Sequence, residues 1–128
     1  MKKITICGKE YEISCNAYTR FQYKKLFGRG IFEDIKILND FSKKQEKIKK
    51  ELKEDGLSDE QLNEEIGAAM LESADDFLDV LTKIAYILIY TANNSIENFE
   101  DWLKGIEKIE LSASWISEVT ELAVSSFC

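Results

Sequence analysis

The chain contains neither histidine nor proline. Without histidine it cannot build a Ser-His or Cys-His dyad, an imidazole general base or a histidine-containing zinc site. Without proline, and with only six glycines in 128 residues, it has few positions at which a helix is forced to end. We therefore expect a mainly helical protein that is not an enzyme.

Cysteine is scarce, and the three that occur (Cys7, Cys15 and Cys128) form no CxxC pair, so no metal or cofactor site is expected. An odd number of cysteines suits a reducing compartment better than a secreted disulfide framework. The longest apolar run, residues 84–90, is much shorter than the roughly 20 residues of a membrane span. The apolar stretch near the first residues is too short for a signal peptide. We expect a cytoplasmic protein without a membrane partner.

Charge is unevenly distributed within what the length predicts to be a single domain, residues 1–128. Residues 1–30 carry a net charge of +5, residues 31–57 of zero and residues 58–128 of −12. This polarity is consistent with head-to-tail self-association or with a basic partner. The simpler interpretation is a solvated acidic surface.

Residues 4–14 are predicted to form a β-hairpin. Apolar side chains alternate along it, at Ile4, Ile6, Tyr11 and Ile13. A two-residue turn at residues 8–9 would place Ile6 opposite Tyr11, and Ile4 opposite Ile13, with one face apolar. Because an isolated hairpin is only marginally stable, we expect that face to pack on helices.

A first helix is predicted from the N-cap Asn16 to Phe27, with Gly28 ending it. Its apolar side chains fall on two sides of the helical wheel: Ala17, Tyr18 and Phe21 on one, and Tyr23, Leu26 and Phe27 on the other. We therefore predict a helix packed between two layers, with the hairpin as one candidate for a layer.

This first helix is also basic, since Arg20, Lys24, Lys25 and Arg29 interleave with aromatic residues in RFQYKKLFGRG. Such interleaving is found in nucleic-acid-binding surfaces. It suggests an alternative function, a small helical regulator that binds nucleic acid through its basic N-terminal helix. We prefer a structural interpretation, in which the aromatic side chains pack in the core and nearby carboxylates cover the charges.

A second helix is predicted after Gly30. Its apolar seam follows coiled-coil-like spacing, at Ile35, Leu38, Phe41, Gln45, Ile48 and Leu52. Residues 43–57 form a helical segment rich in charges of both signs. Two interpretations stay open for this segment: a protruding, solvated helix, or a contact with a partner or second copy through Ile48 and Leu52.

The second half of the chain is predicted to form further helices. Ser58 and Gln61 fit a capping box, followed by an apolar side at Leu62, Ile66, Ala69 and Met70. A helix over residues 74–92 is apolar on all sides in AYILIY, which predicts a central, buried position. Ser95 is predicted to cap a short helix whose inner side holds Ile96, Phe99, Leu103 and Ile106, with Trp102 adjoining.

A terminal amphipathic helix is predicted from Ser112 or Ser114. Its apolar residues fall within an arc of about 140°, and they are Trp115, Ile116, Val119, Leu122, Ala123 and Phe127. Core packing is the simpler interpretation of this stripe, and docking of a partner is the alternative. Together these patterns predict a mainly α fold, in which an N-terminal β-hairpin packs on a compact bundle of five to six helices.

Three stretches of this layout resemble the tail assembly chaperones of long-tailed bacteriophages. They are the β-like opening with the aromatic-basic helix NAYTRFQYKKLFGRGIFEDI, the helix LTKIAYILIYTANN followed by SIENFEDWLKGI, and the closing ASWISEVTELAVSSF. The resemblance implies a small, acidic, mostly helical protein that binds the tape measure protein, keeps it soluble, and recruits tail tube (major tail) subunits. It also implies action in the host cytoplasm, absence from the mature virion, and identity with the short, non-frameshifted form.

A chaperone of this kind needs apolar grooves between helices, with charge at their rim. We predict that six apolar residues contribute to such a groove or to self-association: Phe99, Trp102, Trp115, Ile116, Val119 and Phe127.

Overall fold

The computed structural model of the protein describes residues 2–127, except for residues 55, 57, 59, 62, 63, 66, 67, 69, 70, 108 and 110–112. The side chains of residues 71–74 and 127 also lie outside the description. Within the described residues, two strands precede five helices: β1 (Lys2–Ile6), β2 (Lys9–Ile13), α1 (Ala17–Phe27), α2 (Ile31–Glu54), α3 (Leu71–Ala92), α4 (Phe99–Lys104) and α5 (Ser114–Phe127). The predicted class, a hairpin packed on a helical bundle, is confirmed.

The hairpin forms as predicted, but the predicted register is wrong. The turn is Cys7-Gly8, not residues 8–9, and Ile4 pairs with Tyr11 while Ile6 pairs with Lys9. Both turn residues have positive φ, 50° and 79°, which matches the right-handed twist of the strands. Since the error is two residues, side chains stay on their predicted faces. Ile4, Ile6 and Ile13 are therefore buried.

The limits of α1 are confirmed, and side-chain and backbone caps explain them. The Asn16 side chain accepts hydrogen bonds from the amides of Tyr18 and Thr19, and the Thr19 hydroxyl accepts one from the Asn16 amide. At the other end Gly28 adopts a left-handed conformation with φ 68°, which a side chain would disfavour.

The long helix α2 runs without interruption through the charged segment to Glu54. Its predicted apolar seam is buried at Ile35, Leu38 and Phe41 and half-buried at Ile48 and Leu52, which pack against the core. Most other side chains after Phe41 are exposed. The residues of the apolar seam are therefore buried or half-buried along the whole of α2.

The predicted capping box after α2 is confirmed. The Ser58 amide donates to Gln61 Oε1 at 3.2 Å, and the Gln61 amide donates to Ser58 Oγ at 3.3 Å. The described residues of 60–68 are helical. The predicted apolar side of this helix (Leu62, Ile66, Ala69 and Met70) lies outside the described residues.

The centre of the bundle is α3, as its uniform apolarity predicted. It contacts β2 and each of α1, α2, α4 and α5. All six residues from Ile84 to Ile89 are buried, and four of them, Ile84, Ala85, Ile87 and Leu88, are fully buried. The hairpin is joined to it by a backbone hydrogen bond from the Ser14 amide to the Leu88 carbonyl, 3.1 Å long.

The last two described helices differ from the prediction only in detail. The N-cap of α4 is Asn98, whose side chain accepts a hydrogen bond from the Asp101 amide, so the predicted cap at Ser95 is wrong. The terminal helix begins at Ser114 and packs against β1, α2 and α3. Among the described residues, no helix combines the length and apolarity needed to cross a membrane.

Candidate functional site

The six residues predicted to bind a partner mostly belong to the core. Trp102, Trp115, Ile116 and Val119 are buried, and Phe99 is half-buried. The side chain of Phe127 lies outside the described residues. In this conformation the terminal stripe therefore packs inside its own chain, in agreement with the simpler interpretation. A role of these residues in partner binding stays a prediction, and it would require the bundle to open.

Two of these residues take part in an aromatic cluster that joins the hairpin to the helices. The ring of Phe99 lies 5.0 Å from that of Phe27 and 5.4 Å from that of Tyr86. Trp102 lies 5.5 Å from Tyr86 and 6.5 Å from Tyr11. Edge-on contacts of this kind stabilise a core beyond the area that they bury. The cluster explains why α4, although only six residues long, is firmly attached.

A different set of apolar side chains is exposed, and it lies entirely on α1 and the first turn of α2. Within the described part of the chain, the exposed large hydrophobic residues are Tyr18 (47%), Phe21 (60%), Leu26 (48%) and Phe32 (49%). The prediction that α1 packs between two layers is therefore wrong. Its buried residues are Thr19, Gln22 and Tyr23, and it contacts α2 and α3 but not the hairpin.

Hydrogen bonds explain why α1 can bury the polar side chains of Thr19 and Gln22. Thr19 Oγ1 lies 2.8 Å from Thr91 Oγ1 on α3, and the Gln22 side-chain amide donates to the Tyr18 hydroxyl. Buried polar groups cost little when they have such partners. One face of α1 thus meets α3 through satisfied polar groups, and Phe21, on the other side of the helix, faces solvent.

A buried polar network, which consists of Asp34, Tyr23 and Arg29, joins α1 to the first turn of α2. The Asp34 carboxylate is fully buried and accepts hydrogen bonds from the Tyr23 hydroxyl and from Arg29, at 2.8 Å for Nη2 and 3.0 Å for Nε. Burial, followed by the hydrogen bond to Asp34, raises the pKa of Tyr23 well above its usual range. The same carboxylate raises the pKa of Arg29 through its hydrogen bond and its charge. This network holds the turn between the two helices.

Two of the exposed aromatic residues, Phe21 and Phe32, line a groove between α1 and the start of α2, here named the α1–α2 groove. Its lining residues are Arg20, Phe21, Lys24, Lys25, Gly30, Ile31 and Phe32, and its volume is about 580 Å³. The guanidinium carbon of Arg20 lies 5.9 Å from the centre of the Phe32 ring, a cation–π contact that links the two helices. The groove has an apolar floor and three cations at its rim.

Comparisons with protein-family models, with curated proteins and with solved structures found no match to this chain.

The basic side chains near the groove differ in their ion pairing. Arg29 is neutralised by Asp34, as predicted for charges covered by nearby carboxylates. Among the described residues, however, no carboxylate lies within ion-pair distance of Arg20, Lys24 or Lys25. The sequence holds a signal for this, since residues 13–32 contain no aspartate or glutamate. This basic, aromatic stretch indicates a binding surface, whereas the sequence pattern favoured packing of its aromatic residues in the core.

Elsewhere the described residues offer less chemistry. Asp75, Asp76 and Asp79 at the start of α3 are exposed, and Asp79 forms an ion pair of 3.1 Å with Lys83. No group of three or more potential metal ligands is found in the described part of the chain. The thiol of Cys15 is half-buried, and burial raises its pKa, which lowers its reactivity. The α1–α2 groove is therefore the strongest candidate for a functional surface.

Proposed function

We propose that this protein is a tail assembly chaperone of a long-tailed bacteriophage, which binds the tape measure protein through the α1–α2 groove. The function is proposed from the sequence resemblance, and the binding surface is proposed from one structural observation. The large apolar side chains that the described surface exposes are gathered at α1 and the start of α2, and Phe21 and Phe32 line the groove. Gathered exposed apolar residues mark protein-interaction sites far more than scattered ones do.

The groove matches what a chaperone of helical proteins needs. A phenylalanine side chain presents roughly 200 Å², so about 100 Å² of Phe21 and a similar area of Phe32 stay exposed. Burying both areas against a client would contribute about 5 kcal/mol at about 25 cal/mol/Å². Association itself costs about 4–15 kcal/mol. Burial of these two rings therefore at best balances the cost of association, so other contacts of the client must add to it, and we expect binding to be weak and reversible. Reversible binding suits a protein that must release its client when tail tube subunits polymerise around it.

The proposed function involves no catalysis and takes place in the host cytoplasm, before the tail is complete. Recruitment of the tail tube protein belongs to the same proposal. No described contact identifies the surface that would bind it.

Co-expression tests the proposal. The tape measure protein, which is the proposed client, is expressed with the wild type, with Phe21→Ser/Phe32→Ser, or with Leu26→Ser. Leu26 is a matched control, because it is an exposed apolar residue of α1 that does not line the groove. We expect the wild type and Leu26→Ser to keep the client soluble and to co-purify with it, and the double variant to lose both properties. Equal recovery with all three proteins would refute the role of the groove.

Nucleic-acid binding is a second candidate, because Phe21 and Tyr18 are exposed near Arg20, Lys24 and Lys25, which form no ion pair with a described carboxylate. Exposed aromatic rings stack on bases, and lysine and arginine neutralise phosphates. A gel shift with single-stranded DNA and RNA at low salt tests it. Binding that weakens steeply as salt rises, and that Phe21→Ser abolishes, would favour this candidate.

A further inference from the structure

We infer that the α1–α2 groove takes an amphipathic helix of a different protein, whose apolar face is flanked by aspartate or glutamate. The inference rests on the proposed function and adds to it the chemistry of the client segment. Its basis is the combination of an apolar floor with a rim of one charge sign.

The shape of the groove fits side chains presented by a helix. Its volume of about 580 Å³ lies within the range of about 300–1,000 Å³ typical of binding clefts. Phe21 on α1 and Phe32 on α2 both line it, together with the buried Ile31. A helix bound along such a groove inserts anchors at spacings of three and four residues.

The charge of the rim selects the flanks of that helix. Arg20, Lys24 and Lys25 line the groove, and none of its described lining residues carries a carboxylate. The buried Asp34 is already occupied by Arg29. Carboxylates at the edges of the bound helix would complement all three cations, whereas lysine or arginine there would be repelled.

A second copy of this chain fits the groove poorly. Two copies that meet through the same surface would bring Arg20, Lys24 and Lys25 against their equivalents, an arrangement that like charges destabilise. A head-to-tail contact would need an exposed apolar surface elsewhere. The described residues offer no large exposed hydrophobic side chain outside residues 18–32.

Nucleic acid also fits less well than an acidic helix. The chain carries a net charge of −7, and residues 58–128 alone carry −12. A polyanion would approach against this field, with three cations to oppose it. An acidic helix needs only local complementarity and, unlike nucleic acid, supplies aliphatic side chains to the apolar floor.

The experiment uses two designed peptides and the whole protein. Both peptides are 14-residue amphipathic helices with the same leucine face, flanked by glutamate in one and by lysine in the other. Fluorescence anisotropy measures the dissociation constants for the wild type, Lys24→Glu/Lys25→Glu, Phe21→Ser and Leu26→Ser. Circular dichroism confirms that every variant is folded.

We expect the glutamate peptide to bind the wild type at least about tenfold more tightly than the lysine peptide. Lys24→Glu/Lys25→Glu should reverse this preference, Phe21→Ser should abolish binding of both peptides, and Leu26→Ser should bind as the wild type does. Equal affinities for the two peptides would overturn the inference. So would displacement of the glutamate peptide by an oligonucleotide, or dimerisation that blocks the groove.

The result is independent of the co-expression test. If the client co-purifies but the peptides show no charge preference, the inference fails and the proposed function stands. If the glutamate peptide is preferred but the client is not retained, the groove chemistry stands and the chaperone function fails.

Discussion

Replacing Trp115 by alanine tests whether the terminal helix belongs to the core. Trp115 is 4% exposed in the first turn of α5, which packs against β1, α2 and α3. A buried tryptophan removes roughly 200 Å² from water, equivalent to about 5 kcal/mol at about 25 cal/mol/Å². Measured Trp→Ala substitutions in cores cost about 3–5 kcal/mol. Since alanine is the best helix former, this cost comes from lost packing and not from the helix itself.

Urea unfolding followed by circular dichroism measures this cost, with the fluorescence of the remaining Trp102 as a second probe. Ser117→Ala is the matched control, because Ser117 is exposed on the same helix, and we expect it to change the free energy of unfolding by less than about 0.5 kcal/mol. A loss of 3–5 kcal/mol is a large part of the about 5–15 kcal/mol typical of a domain. If Trp115→Ala cost less than about 1 kcal/mol with an unchanged m-value, the docking of α5 described above would be wrong.

Three further predictions follow from the site. Asp34→Ala leaves the buried Tyr23 hydroxyl without its acceptor, so it should lower the free energy of unfolding, measured in urea, by about 1–3 kcal/mol. A decrease below about 0.5 kcal/mol would contradict the stabilising role of the network. Burial raises the pKa values of Tyr23 and Tyr86 above 10.0. The contribution of the two protonated tyrosines to the free energy of unfolding is complete below pH 10, and we expect that free energy to fall above pH 10 by up to about 1.4 kcal/mol per pH unit for each tyrosine. A free energy of unfolding that stays constant from pH 9 to 11 would disprove this linkage. Phe21→Ser should lower the free energy of unfolding by no more than about 2 kcal/mol, because Phe21 is 60% exposed and buries only roughly 80 Å²; a loss above about 3 kcal/mol would place it in the core.

Much of the fold was predictable because short-range signals set it. Asn16 and Gly28 delimit α1 through hydrogen bonds to residues within one turn, and Ser58 with Gln61 forms its capping box locally. The uniform apolarity of residues 84–89 predicted a central helix, because a helix without a polar face is stable only when it is surrounded. These features need no knowledge of distant residues.

The hairpin register shows where periodicity stops being informative. Alternation has a period of two, so a register shifted by two residues gives the same buried face. The turn determines which of the two registers forms, because Cys7 and Gly8 both adopt positive φ. The sequence pattern alone could not distinguish the two pairings.

The candidate site was the least predictable part. The wheel of α1 shows two apolar sides, and Phe21 on one of them is as hydrophobic as Tyr23 on the other. The positions of α2 and α3 decide between them, because the buried Tyr23 lies on the face of α1 that packs against these helices. That face is the one on which Thr19 meets Thr91.

By itself, then, the sequence determined the class, the limits of α1 and the basic character of residues 13–32, because composition and caps act over a few residues. The tertiary structure decided which apolar side chains are buried. Trp115 and Val119 are buried in the core, because their helix α5 packs against three neighbouring elements. Phe21 and Phe32 did not become buried and stayed at the surface, beside cations that no described carboxylate neutralises. Burial depends on which faces meet across the bundle, and that is a property of distant residues together.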